Sequence, residues 1–150
     1  MVTLPIYSFG QKTSVEPLKI HLFSKHLQFL NLKEAAQIAT EIGFDGLDLT
    51  VRPKGHVLPK NVETDLPKAI QDIKAGGSNC IMMTTAIEDI ENEYDLKIIK
   101  TAANEGIQSY RCNWFKYHKD KSMEESIRNN SFKVFRVFTL YEKNLSFKTS

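Results

Sequence analysis

Cysteine is nearly absent. Two occur in 150 residues, Cys80 and Cys112, well separated and flanked by apolar or bulky neighbours. That spacing fits buried free thiols and excludes a disulfide framework. Charge of one sign is also missing: 20 Lys and Arg against 18 Asp and Glu leave a net +2. Such a balance gives no electrostatic footprint for a nucleic-acid groove. No run approaches the ~18 apolar residues of a membrane span. The first ten residues lack the basic start and sustained apolar stretch of a secretory signal. A soluble, cytoplasmic protein without membrane or nucleic-acid partners is the expectation. No H-x-x-x-H, C-x-x-C, phosphate loop, G-x-G-x-x-G or Ser/Cys nucleophile motif occurs, so the common metal, dinucleotide and acyl-transfer signatures are excluded.

What the chain does contain is a repeat. Short β-branched and apolar runs fall at Lys19–Ser24, Gly46–Val51, Asn79–Thr85 and Ile107–Cys112. Helical patterns separate them. Asn31 stands where a cap belongs; Leu32, Ala35, Ala36, Ile38, Ala39 and Ile42 follow at helical spacing, and Gly43 ends the pattern. A second helix is expected over about 61–75, closed by Gly76-Gly77, with Pro67 as an alternative starting point. A third covers about 94–105 and stops at Gly106. A fourth covers about 122–141, opened by a Ser122/Glu125 capping pair. Its Phe-rich stretch from Phe132 to Phe138 reads as core. The domain is expected over 18–143, between an N-terminal extension of 1–17 and a polar tail of 144–150.

Strand and helix alternating at roughly 30-residue spacing means four βα units with parallel, neighbouring strands. A closed (β/α)8 barrel needs eight such units, typically about 250 residues. The fold class is therefore α/β, as a small open sheet or as half of a barrel.

The stretch GFDGLDLTVRPKGHVLP, residues 43–59, carries the strongest functional signal. Strand alternation puts Leu47, Leu49 and Val51 on one face and Asp48, Thr50 and Arg52 on the other. The aliphatic set suits a helix layer. The polar set then lines the opposite face and rises to the strand ends, where active sites of parallel sheets gather. Gly55 permits a tight turn, Pro53 and Pro59 stiffen the loop, and His56 is delivered to the mouth. By the same alternation Ser109 and Arg111 share a face, as do His21, Phe23 and Lys25. The substrate-contacting candidates are Lys25, Asp48, Arg52, His56 and Arg111. Most also have a plain structural reading. Arg52 would pair with an acidic helix residue, and His56 would pack in its loop. Asp48 would accept from a neighbouring strand, and Arg111 would pair ionically. Trp114, Phe115 and Tyr117 read as packing more readily than as a sugar platform.

The same run resembles the second-strand signature of the sugar phosphate isomerase/epimerase family, the xylose isomerase-like TIM barrels. HLFSKHLQFLNLKEAAQIATEIGFDG is similar to that family's first unit, IMMTTAI to its third strand, and AANEGIQSYRCNWFKY to its approach to the fourth. The resemblance covers about Lys19 to Ile127 and implies a half TIM barrel. It implies a carbohydrate or sugar phosphate substrate and metal-assisted proton transfer beside a carbonyl. Asp48 would bond a substrate hydroxyl, Arg52 and His56 would orient substrate or its anionic group, and Lys25 and Arg111 would line the pocket. The family's divalent metal, Mn, Mg or Zn, is held by residues of later strands that this chain does not match. After Ile127 the pattern stops, as in a truncated or frameshifted product, catalytically incomplete as a single chain. Exposed sheet edges then favour a homo-oligomer. The alternative is a non-catalytic carbohydrate-binding or relic α/β module. The apurinic-site endonucleases share the barrel, but they need basic clustering and a multi-histidine metal site that this chain lacks.

Overall fold

In the computed structural model, residues 17–117 and 119–146 are described, the side chains of 141–146 excepted. The expected extension over 1–17 therefore lies almost entirely outside the described residues. The chain alternates strand and helix: β1 (His21–Phe23), α1 (Leu32–Glu41), β2 (Gly46–Val51), α2 (Val62–Ala75), β3 (Met82–Thr85), α3 (Glu93–Glu105), β4 (Ser109–Arg111) and α4 (Met123–Ser146). One-turn 3-10 segments follow β1 at Ser24–Leu27 and precede α2 at Pro59–Asn61. The sheet order is β1-β2-β3-β4 and every pairing is parallel. This is the α/β repeat that the alternating pattern predicts.

Helix boundaries follow local chemistry. The Asn31 side chain accepts from the Glu34 amide at 2.9 Å, and the Glu34 carboxylate accepts in return from the Asn31 amide at 3.4 Å, a complete capping box. Gly43 (φ 93°) then reverses the chain after α1. Asn92 caps α3 through the Tyr94 amide at 2.9 Å, and Gly106 (φ 79°) closes it. α2 starts at Val62, before Pro67. An interior proline costs about 3 kcal/mol. The turns before it bury Val62 and Leu66 completely, at about 1.5–3 kcal/mol each, which offsets that loss.

Register fixes the two faces. Phe23 lies beside Asp48, Asp48 beside Met82, and Met82 beside Ser109; Thr50 lies beside Thr84, and Thr84 beside Arg111. Side chains of paired residues in a parallel sheet share a face. One face is thus Phe23, Asp48, Thr50, Thr84, Ser109 and Arg111. The other presents Leu22, Leu47, Leu49, Val51 and Met83, buried or half-buried against the helices. Right-handed crossovers between sequential neighbours put all helices on one side, consistent with the α1–α2, α2–α3 and α3–α4 contacts. The polar face carries no helix among the described residues.

Three expectations are corrected. β1 ends at Phe23, because Ser24 turns inward to bond Thr50, so Lys25 sits in a 3-10 turn and is exposed rather than on the strand. The Phe132–Phe138 stretch is not core: Phe132, Phe135 and Phe138 are exposed, and Val137 is the member that is buried. α4 continues through Ser146, so the polar tail begins as helix, and 147–150 lie outside the described residues. Among the described residues no helix is long and apolar enough to cross a membrane.

Candidate functional site

Asp48 is the one carboxylate that the described strands place on the helix-free face. The Thr84 hydroxyl donates to its Oδ2 at 2.9 Å, while Oδ1 is buried without a donor. Burial pushes the Asp48 carboxyl above its ordinary pKa. The Thr84 bond and the Arg111, His21 and Arg52 side chains oppose that. The result is a half-buried acid with one unsatisfied oxygen, held in one orientation by its neighbouring strand.

Cations surround it without saturating it. The Arg111 guanidinium lies 6.0 Å from the centre of the Phe23 ring and 5.4 Å from that of Trp114. The Arg52 guanidinium lies 5.8 Å from the Phe23 centre. At these distances each gains modest cation–π attraction. Neither arginine is within ion-pair distance of a carboxylate among the described residues. Arg111 extends from β4 and Phe23 from β1, with two strands between. Their side chains reach toward each other across the face. A cleft of about 360 Å³ lies there, lined by Phe23, Asp48, Met82, Thr84, Tyr110 and Arg111, among others.

The loop after β2 behaves differently. Lys54, at φ 61°, takes the left-handed conformation, not Gly55. Gly55 is required for closeness instead: a Cβ there would stand 2.8 Å from the Thr50 carbonyl oxygen. The Arg52 amide donates to the Val57 carbonyl and the Val57 amide to the Thr50 carbonyl, each at 3.1 Å, so the loop doubles back onto β2. Val57 is thereby buried. Thr50, fully buried, then holds the loop. Its Oγ accepts from the His56 amide at 3.1 Å and lies 3.2 Å from His56 Nδ1 and 3.3 Å from the Ser24 hydroxyl. Ser24 in turn accepts from the Thr50 amide at 3.0 Å.

The five candidates therefore separate. Asp48 and Arg111 line one cleft, and Arg52 joins them through the shared Phe23 ring. His56 does not join them. It borders a different depression, with Leu32, Val57, Asp65, Lys68 and Asp72 on the α1–α2 side. Burial lowers its pKa, against a smaller opposing pull from the Leu27 carbonyl, which lies outside hydrogen-bond geometry. Lys25 is exposed and lines none of these clefts.

Alternation groups Phe23 with His21 on one strand face, but does not mark it as the ring two arginines share. Thr84 was legible in the same way, from the parity of IMMTTAI. Trp114 is three-quarters exposed and stacked by Arg111, which its aromatic neighbours did not indicate. Among the described residues no three His, Cys, Asp or Glu side chains gather as a metal-ligand group. Against known proteins, no family model matches the chain and no curated protein is similar to it.

Chemically, the arrangement offers one oriented carboxylate acceptor, two guanidinium donor sets and an aromatic ring between them. A carboxylate takes a hydroxyl, a guanidinium takes a phosphate or carboxylate in bidentate fashion, and a ring face takes the C–H side of a sugar.

Proposed function

We propose that the helix-free face binds a carbohydrate or sugar phosphate, in a domain that is half of a xylose isomerase-like barrel from the sugar phosphate isomerase/epimerase class. The observation that carries this reading is Asp48 lining the cleft with its hydrogen-bonding capacity incompletely used, flanked by Arg52 and Arg111 across Phe23. Asp48 accepts a sugar hydroxyl, and the arginines hold an anionic substituent. Supporting the barrel is a sheet whose order never reverses and whose first and fourth strands touch through their side chains.

The class uses a divalent metal to polarise the substrate carbonyl. The described residues do not make that site: among them Asp48 is one ligand, not a set. This chain's own contribution is to bind and orient. Proton transfer beside the carbonyl then needs groups from further strands, so one chain alone binds without turnover.

Calorimetric titration with aldoses, ketoses and their phosphates tests this. Asp48→Ala and Arg111→Ala are each expected to weaken binding about tenfold, the equivalent of ~1.4 kcal/mol. His56→Ala is expected to leave affinity nearly intact and to lower stability instead. Equal affinity in wild type and both cleft variants refutes the site. Aldose–ketose turnover with added manganese or magnesium, read on every oligomer the chain forms, separates an isomerase completed by self-association from a carbohydrate-binding module.

A further inference from the structure

We propose that the groove between β4 and α4 receives β1 of a second copy of this chain, so that two copies close a ring of eight parallel strands. The proposal rests on the βα repeat and not on the sugar reading.

Within the chain β2 is covered both by the helix before it and by the helix after it. Leu47 and Leu49 of β2 are fully buried, and β2 touches both α1 and α2. α4 breaks the series. Among the described residues no strand lies beyond β4. The place a next strand would occupy is an apolar groove of about 320 Å³, lined by Tyr110, Cys112, Val134, Val137 and Phe138. Its rim is open, with Phe138 58% and Val134 42% exposed.

The other edge of the sheet supplies what fits. β1 runs in the same direction as β4, so a rotated copy can extend the parallel ladder without reversal. Side chains at positions 20 and 22 share β1's helix-facing parity, the side on which the groove lies. Leu22 is half-buried there, while Ile20 is 61% exposed, and Ile42 at the end of α1 beside it is 62% exposed. Inserting Ile20 and Leu22 beneath α4 of the partner repeats the packing of Leu47 and Leu49 within the chain. Each half-exposed apolar side chain removes roughly 100 Å² from water. With four or five of them at each of two junctions, the interface buries on the order of 1,000 Å², the lower bound for a specific one.

Edge-to-edge contacts between unlike patches form rings when the rotation closes and fibres when it does not. Eight strands is the number at which a parallel α/β sheet closes with a filled interior. The Arg111 and Phe23 side chains, from the two outer strands, lean toward each other on the face that closure would enclose. Closure converts the open cleft around Asp48 into an interior shared by both copies.

Sedimentation equilibrium of the full chain without ligand tests this. Wild type is expected at twice the 17.2 kDa chain mass. Val134→Asp/Phe138→Asp, altering only the groove, and Ile20→Asp, altering only the strand, are each expected as monomers with unchanged circular dichroism. Mixed in equal amounts they regain dimer, because the mixed pair keeps one intact junction. A monomeric wild type overturns the proposal, whatever covers the groove. So does an Ile20→Asp protein that stays dimeric while the groove variant dissociates, since that pattern means α4 pairs with α4.

Discussion

Replacing Thr50 by valine removes one oxygen and tests why β2 opens into a glycine- and proline-containing loop. Valine keeps the shape of threonine but not its hydroxyl, so the effect is that of the lost bonds. Three contacts converge on the Thr50 Oγ. The His56 amide loses its acceptor in a site where Thr50 is fully buried. A stranded buried donor costs about 1–3 kcal/mol. The Ser24 and His56 ring contacts, at 3.3 and 3.2 Å, are long and contribute about 0.5 kcal/mol each. The expected loss is therefore about 2–4 kcal/mol, or roughly 6–15 °C in Tm for a domain of this size. Urea unfolding followed by circular dichroism measures it, with the m-value unchanged if the fold is retained. Limited trypsin digestion adds a local readout, because a loosened loop exposes the bond after Lys54. A loss below about 0.5 kcal/mol, with no faster cleavage there, would refute the idea that Thr50 pins the loop.

Burial lowers the His56 pKa, so the folded state resists its protonation. The stability it contributes is present above the ordinary value near 6.5 and is lost as pH falls below it. Urea midpoints should drop between pH 7.5 and 5.5 in wild type and drop less in His56→Gln. Asp48 has the opposite sign: its raised pKa means the ionised form weakens the fold at neutral pH, and the penalty disappears as pH falls. Asp48→Asn should therefore be more stable than wild type at pH 7, with the advantage vanishing in acid, while sugar affinity falls. Gly55→Ala should cost about 1–3 kcal/mol in the same unfolding assay, because the added carbon meets the Thr50 carbonyl.

Much of the fold was legible because its signals are local. Asn31 before an apolar stripe, Gly43 and Gly106 after one, and the alternation of Leu47, Asp48, Leu49 and Thr50 each report the conformation of their own segment. The position of a candidate was legible where it stayed on its strand. Asp48 and Arg111 did, and they lie on the face that parity gives them. Lys25 lies elsewhere because Ser24, bonded to Thr50 two dozen residues away, ends β1 before parity reaches it. His56 lies elsewhere for a related reason. The loop folds back through Val57, and Thr50 takes up the imidazole that seemed bound for the mouth. Pro67 misled because its cost is local while the burial of Val62 and Leu66 that offsets it is tertiary. The Phe132–Phe138 stretch misled in the other direction: composition cannot distinguish a buried helix face from an exposed apolar one.

The account depends on ligand meeting the sheet on the side without helices. Amide chemical shifts recorded during titration with a sugar phosphate read this directly. Shifts are predicted to concentrate at Phe23, Asp48, Thr84 and Arg111, and to be lost in Asp48→Ala. Shifts confined to the outer surfaces of the helices, or no saturable shift at all, would contradict it.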